Sequence, residues 1–564
     1  MNDQAQSASA LRGRTGGQIL VDQLLAQGVR TLSCVPGESF LAALDALHGS
    51  AIEVLVCRNE GGAAMMAEAA GKLTGRPGVC FVTRGPGASN AAHGVHVAAH
   101  DSTPMILLIG QVGRAMRHRE AFQEVDYEQM FGRIAKWVVE VNEASRLPEL
   151  MARAFRVAMQ GRPGPVVVAL PEDMLSEETA VIADAPKVEP AEAAPAPADL
   201  RRLAELMRGA RRPVAILGGS RWSEEASAGF VAFAERTGLP VATSFRRAHL
   251  FPADHPNYAG DLGIGPNPKL FRRIQEADLV LLLGARLSEM PSGSYTLLDV
   301  PMPRQALVHV HPGAEELGRV YQPSLAIQAS PSAFLAALAA AELDFGPPAQ
   351  EAGAAHQDYL AWSQEPLKVP GDFQYAEAMV WLRQRLPPDA IICNGAGNYA
   401  GWIHRYYRFR RFATQLAPVS GSMGYGVPAA VMAKHLFPER IVIAFAGDGC
   451  FLMNGQEFAT AVQHGLPIVV VVVDNAMYGT IRMHQEGRYP HRVSATDLAN
   501  PDFAALARAY GGHGERVERT QEFAPAFERA LACGKPAIVH CLLDPEAITP
   551  AKTLSQLRGS KLSD

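Results

Sequence analysis

Hydrophobic residues fall into short runs rich in Val, Ile and Leu, separated by longer Ala-rich stretches whose apolar positions recur at helical spacing. Short runs without polar alternation predict strands buried on both faces, and their alternation with helices predicts parallel sheets covered on each side. In the first part of the chain these runs are Glu53 to Cys57, Val79 to Thr83, Met105 to Ile109 and Val166 to Ala169. Val214 to Leu217, Leu279 to Leu283 and Ala306 to His309 follow in the middle. Ala390 to Cys393, Ile441 to Ala446, Ile468 to Val473 and Ala537 to Cys541 complete the set. Two segments rich in Ala, Pro and acidic residues, Asp184 to Asp199 and Gly346 to His356, have no periodic apolar face and predict linkers. The fold class predicted is α/β, with three doubly wound parallel-sheet domains over residues 12–183, 200–345 and 372–546. A length of 564 residues, too great for one core, agrees.

Composition narrows the range of partners. With 48% hydrophobic and 19% charged residues the chain is of ordinary globular type. A net charge of -5 without long runs of one sign predicts no nucleic acid and no membrane surface as partner, and points to small molecules. The longest apolar run, Ile468 to Val473, is far too short to span a bilayer. The seven cysteines are odd in number and lack CxxC spacing, which predicts reduced thiols in a cytoplasmic protein. Residues 1–17 are small and polar, with no apolar signal segment, and are expected to be a disordered leader.

The strongest chemical signal follows the run Ile441 to Ala446, which leads into Gly447-Asp448-Gly449; Asp474-Asn475 closes the next run. A carboxylate and an amide oxygen at the ends of adjacent strands suit a hard cation such as Mg²⁺. The glycines let backbone amides approach a phosphate, and the following helix aims its positive end at the same place. In the first part, Glu60 of Arg58-Asn59-Glu60 precedes an Ala-rich helix; taken alone, it reads as an acid at a helix N-terminus.

Together these segments resemble the thiamine-diphosphate-dependent enzymes, whose fingerprint is GDG followed about two dozen residues later by NN. Here the first Asn of that pair is Asp474, and the second, the family's metal ligand, is Asn475. The resemblance implies Asp448, Asn475 and the backbone carbonyl of Met477 as Mg²⁺ ligands, with Gly447 and Gly449 at the diphosphate. It also implies that Glu60 contacts N1′ of the aminopyrimidine, so that the ring's imino nitrogen can remove the C2 proton; burial would help Glu60 stay protonated. Thr83 to Asn90 (TRGPGASN) is similar to the family's glycine-rich turn, placing Gly87 at the cofactor, with Pro36 of Val35 to Ser39 beside it. Gly421 to Ala430 (GSMGYGVPAA) is similar to GxMGxGxPAA, in which Met423 would bend the cofactor while backbone groups of Gly421 and Met423 hold the pyrimidine. The cofactors implied are thiamine diphosphate and Mg²⁺, in an active site shared between subunits of a homodimer or homotetramer.

Within the family, acetolactate synthase is the nearest resemblance. Ala121 to Asp126 and Ile134 to Trp137 are similar to its AFQE and ITKW segments, where Phe122 and Gln123 would line the active site. Three positions depart: Met290 replaces the arginine for the second substrate, Glu172 a lysine, and His484 a tryptophan. Methionine offers an anion neither charge nor donor, so the donor 2-oxo acid is better defined than the acceptor. His484 reads equally as a proton shuttle or a space-filling replacement. Glu38 resembles the acidic position of the pyruvate decarboxylase VPGD loop. The implied function is decarboxylation of a small 2-oxo acid with carboligation. The alternatives are a 2-oxo acid decarboxylase or aldehyde carboligase, an FAD-dependent enzyme resembling pyruvate oxidase, and a cofactor-binding subunit without turnover. FAD is not expected, because Gly218-Gly219-Ser220 lacks GxGxxG and the run through Met290 is altered. His93, His96 and His100 share a predicted helix face, but with no fourth ligand zinc is not expected there.

Overall fold

The computed structural model describes residues 13–180 and 183–559. In chain order the strands begin with β1 (Arg14–Thr15), β2 (Thr31–Cys34), β3 (Glu53–Val56), β4 (Gly78–Val82), β5 (Met105–Gln111), β6 (Trp137–Glu140), β7 (Pro165–Pro171) and β8 (Glu178–Thr179). Next come β9 (Pro213–Leu217), β10 (Val241–Ser244), β11 (Tyr258–Leu262), β12 (Leu279–Leu283), β13 (Ala306–His311) and β14 (Leu325–Gln328). The last group is β15 (Ile391–Asn394), β16 (Gln415–Leu416), β17 (Val442–Gly447), β18 (Val469–Asp474), β19 (His513–Val517) and β20 (Ala537–Leu542). Apart from the short antiparallel pair β1·β8, they form three six-stranded sheets in which every pairing is parallel. Each predicted run became a strand, with ends shifted by a residue or two.

The sheet orders are β3-β2-β4-β5-β7-β6, β11-β10-β9-β12-β13-β14 and β16-β15-β17-β18-β20-β19. Each has a switch point where the winding reverses, between β2 and β4, between β9 and β12, and between β15 and β17. At such a switch point the loops leaving neighbouring strands diverge and open a crevice at the carboxyl ends, where ligands of doubly wound sheets bind. The inner strands β4, β5, β7, β9 and β12 are completely buried, whereas β3, β6, β14 and β19 are partly exposed.

The first sheet and its helices form one unit, up to Ala99 and over Thr103–Ala191; the other two sheets share a second, His100–Ser102 and Glu192 onward. Inside the second unit the buried guanidinium of Arg246, just after β10, donates to the carbonyls of Gly395 and Pro418 in the loops leaving β15 and β16. The middle domain thereby supports the switch point of the third. No helix among the described residues is long and apolar enough to cross a membrane.

Three expectations need correction. Residues 14–17 are not a leader: Arg14–Thr15 pairs with Glu178–Thr179, and Thr15 caps the helix Gly16–Ala26 through a capping box; residues 1–12 lie outside the described residues. Within the first linker, Gln23 of that helix and Gln27 at its C-cap bond the backbone at Ala185, Pro186 and Val188, so 185–188 is tied down. The second linker ends early, because Ala352–Ser363 is a helix whose Ala355 and Tyr359 are buried, Tyr359 edge-on to Tyr258 of β11.

Close approach of helix and sheet sets a local limit. A Cβ at Gly78, the first residue of β4, would lie 1.9 Å from the Ala67 carbonyl oxygen in the helix Glu60–Thr74. Gly78→Ala is expected to destabilise the first unit by about 1–3 kcal/mol through overpacking. Chemical denaturation followed by circular dichroism measures this, and an unchanged midpoint would contradict the packing described.

Candidate active site

At the switch point of the third sheet, β17 ends at Gly447 and the helix Asp448–Asn454 begins at once, so the Asp448 side chain stands at the helix N-terminus beside the end of β18. Asp448 is buried, its Oδ2 accepting from the Met477 backbone N–H at 3.2 Å and from Asn500 Nδ2 at 2.7 Å. Asn500 Nδ2 also reaches Asp474 Oδ1 at 2.8 Å, so one amide spans both carboxylates. Burial, with Asp474 beside it, raises the Asp448 carboxyl above its ordinary value. Burial opposes ionisation of Asp474 as well. Hydrogen bonds from His540 and the Ala476 N–H, with that from Asn500, outweigh it and hold Asp474 below the usual range. His540 Nε2 lies 2.9 Å from Asp474 Oδ2, buried on the neighbouring strand β20.

The turn carrying Met423 joins the same site. The Gly424 N–H donates to Cys450 Sγ at 3.3 Å, and Asn454 Nδ2 donates to the Gly424 carbonyl at 3.3 Å. Both partners lie on the helix that starts at Asp448, so the Gly421–Gly424 turn and the GDG segment are fixed to each other. Gly421 is exposed at φ +70, a conformation open to glycine, and no atom lies within 4 Å of where its Cβ would be. Met423 is half-buried. A carboxylate, the Asn475 amide and the Met477 backbone are hard oxygen donors of the kind Mg²⁺ takes. Among the described residues no group of three His, Cys, Asp or Glu side chains is placed to hold a metal ion.

The first unit has its own crevice. Glu60 opens the helix Glu60–Thr74 after β3, with Asn59 capping it by accepting from the Gly61 N–H at 2.8 Å. Glu60 is half-buried. Asn90 Nδ2 donates to Oε2 at 2.9 Å, and a Cβ on Gly87 would stand 3.3 Å from Oε1. Gly87 thus leaves the Oε1 side clear for a ring. Pro36, after β2, is exposed at the same sheet edge. Phe122 is 73% exposed, and Gln123 takes the left-handed conformation with φ 63 against Gly85. Glu38 and Glu172 converge on one guanidinium, that of Arg84.

His484 is exposed on the helix Gly479–Arg488, in the loop region that follows Asn475. Met290 lies in the second unit, in a small open cleft at the switch point of the middle sheet, with Gly219, Ser244, Arg247, Gly284 and Arg286. The motifs gave no sign of Asn500 or His540. Both act by bridging carboxylates from positions distant in sequence, so only the fold brings them into view.

Comparison with known proteins agrees with this geometry. Residues 14–130 match the thiamine pyrophosphate enzyme N-terminal TPP binding domain, 200–338 the central domain and 395–541 the C-terminal TPP binding domain. The chain belongs to the thiamine pyrophosphate enzyme family. It is 32% identical over 534 residues to the acetolactate synthase isozyme 2 large subunit of Escherichia coli K12, covering 94% of this chain and 95% of that protein. It is 32% identical to the acetolactate synthase large subunit of Parasynechococcus marenigrum WH8102 and 30% to that of Corynebacterium glutamicum, over 94% of this chain and 88% and 87% of theirs. The three parallel-sheet domains are those of this family, and the chain is a thiamine-diphosphate-dependent enzyme of acetolactate-synthase type.

Because Asp474 is held below its ordinary pKa, it contributes stability above the unfolded-state value, about 3.9, and loses that contribution as pH falls through the folded value. Asp474→Asn is expected to lower stability at neutral pH by about 1 kcal/mol, the loss of a charged acceptor for His540 being partly offset by relief of Asp448. Urea denaturation should show the deficit shrinking as pH is lowered; a deficit growing in acid would contradict the assignment.

Proposed function

We propose that the enzyme decarboxylates a small 2-oxo acid such as pyruvate and joins the remaining acyl unit to a second carbonyl compound, as the names of its acetolactate synthase relatives suggest. What supports this reading is that residues of the required chemistry gather at the carboxyl ends of parallel strands. Glu60 with a cleared Oε1 is in the first unit; Asp448, Asn475 and the Met423 turn are locked together in the second. When bound, thiamine diphosphate supplies the carbon nucleophile and the electron sink that make a bond next to a carbonyl breakable.

The chain's own groups do the rest. Asp448, Asn475 and the Met477 carbonyl would hold Mg²⁺, whose charge would offset that of a diphosphate, and the N–H groups at the start of the helix Asp448–Asn454 would favour the same negative charge. Glu60 would hold a proton at Oε1 toward the aminopyrimidine, its Oε2 being fixed by Asn90. Gly421, Met423 and Gly87 would seat the pyrimidine, with Pro36 beside it. Phe122 and Gln123 would line the substrate space, and His484 would serve as a proton shuttle or as a space-filling replacement. Glu60 of one copy would serve Asp448 of another, making the working form a dimer or a tetramer in the cytoplasm. FAD stays outside this reading, since no step of it moves electrons to or from a flavin.

With thiamine diphosphate and Mg²⁺, CO₂ release over a panel of 2-oxo acids, with products identified by mass spectrometry, is expected to show turnover with pyruvate or a close analogue and a carbon-carbon ligation product. Release of aldehyde alone would favour the decarboxylase alternative; no release with any member would refute the reading. Glu60→Gln and Asp448→Ala should each lower kcat by roughly 10²–10⁴-fold. Co-expressing the two variants should restore activity that neither has alone, because one mixed site is intact. No recovery in verified heterodimers would exclude a site shared between copies.

A further inference from the structure

Asn500 reaches the site of the third sheet on a loop that is fixed at both ends. On one side, residues 476–478 run beside 496–498: the Tyr478 N–H donates to the Thr496 carbonyl and the Leu498 N–H to the Ala476 carbonyl, both at 2.9 Å, and Met477 bridges Asp497 in antiparallel fashion. On the other, Asp502 caps the helix Phe503–Ala509, its Oδ1 accepting from the Ala504 and Ala505 N–H groups at 2.8 and 3.0 Å.

The Asn500 amide nitrogen is spent on two acids, with Nδ2 at 2.7 Å from Asp448 Oδ2 and 2.8 Å from Asp474 Oδ1. The reversed amide would turn its oxygen on both carboxylates, so the hydrogen-bond network fixes which end is which. Asp448 Oδ2 also accepts from the Met477 N–H at 3.2 Å, and the two donors together set the rotation of that carboxylate. Asp474 serves as the anchor. Its Oδ1 accepts from the Ala476 N–H at 2.9 Å as well as from Asn500, and its Oδ2 faces His540 Nε2 at 2.9 Å. What remains is Asn500 Oδ1, which is buried and has no hydrogen-bond partner among the described residues. A buried acceptor left without a donor is costly, and it calls for a partner that arrives later. An amide oxygen is a hard acceptor, and a cation such as Mg²⁺ keeps several of its waters when it binds protein.

We propose that Asn500 is a further residue of the cation site: its Nδ2, anchored by Asp474 and His540, positions the Asp448 carboxylate, and its Oδ1 accepts a hydrogen bond from water on the cation. The inference rests on the Mg²⁺ reading above and adds the residues that orient the ligand. Groups that hold a metal ligand in place are worth about 10–100-fold in metal affinity.

The test uses the full-length enzyme with saturating thiamine diphosphate and Mn²⁺ as the probe, free and bound ion being distinguished by electron paramagnetic resonance. Asn500→Ala and Asn500→Ser are each expected to weaken Mn²⁺ binding by about 10–100-fold and to alter the spectrum of the bound ion. The Mg²⁺ concentration giving half-maximal CO₂ release should rise, while kcat at saturating Mg²⁺ recovers. His540→Gln, which keeps an N–H near the Nε2 position, should hold native Mn²⁺ affinity, whereas His540→Leu should lose part of it; equal affinity in these two variants overturns the anchoring role. A merely structural Asn500 would lower the thermal midpoint seen by circular dichroism and leave the Mn²⁺ affinity of the folded enzyme unchanged. Native Mn²⁺ affinity in both Asn500 variants therefore overturns the inference, while Mn²⁺ binding and CO₂ release by the native enzyme uphold the parent reading. A native enzyme that binds no Mn²⁺ overturns the cation site and the inference together.

Discussion

Asp448 and Asp474 close adjacent parallel strands, and both are buried with one amide nitrogen, that of Asn500, between them. Two carboxylates this close in a partly desolvated place repel, and the structure resolves the conflict asymmetrically. His540 and the Ala476 N–H keep Asp474 ionised, while Asp448 is pushed toward its protonated form. The carboxyl that resists ionisation is the one whose charge a bound cation would stabilise. Metal binding there would release the strain that folding leaves in place. The turn at Met423, tied to the same helix through Cys450 and Asn454, shares that fixed frame.

Parallel sheets explain why such a site recurs in this chain. Every strand of a sheet delivers its carboxyl end to one edge, and the switch in winding direction opens a crevice there. In the first unit that edge holds Glu60 and Arg84, in the middle sheet the cleft with Met290, and in the third Asp448. Glycines at these edges remove side chains where backbones meet: a Cβ on Gly219 would stand 1.8 Å from the Gly284 carbonyl oxygen across the middle crevice.

Strands made of uninterrupted Val, Ile and Leu, such as Val469–Asp474 and Leu279–Leu283, were legible because both faces are buried and each residue says so. Others were not. Thr31–Cys34 lies inside the first sheet but carries Ser33, whose hydroxyl satisfies itself by donating to the Ala63 carbonyl at 2.7 Å. Val241–Ser244 similarly hides Thr243 opposite the Tyr258 hydroxyl. A short polar strand with its hydrogen bonds met by the fold cannot be told from a loop by hydrophobic pattern alone. The edge strand His513–Val517 has one buried face at most and lacks the signal altogether. The Ala-rich helix Ala352–Ser363 was hidden by its small residues, which look like linker until Tyr359 finds the middle core. At the site, side chains within a motif were readable, whereas Asn500, His540 and the convergence of Glu38 and Glu172 on Arg84 depend on loops brought together from remote segments.

That convergence couples charge to conformation. Gln123 holds a positive φ that a residue with a Cβ adopts at a cost of order 1–3 kcal/mol, so the segment around it must be fixed from outside. Arg84 does this through the Phe122 carbonyl, and Glu124 does it from the other side by accepting from the His118 and Ala121 N–H groups at 2.8 and 3.1 Å. The two glutamates flanking Arg84 keep its guanidinium in the plane that reaches Phe122. Removing either acid would therefore loosen the clamp on this loop.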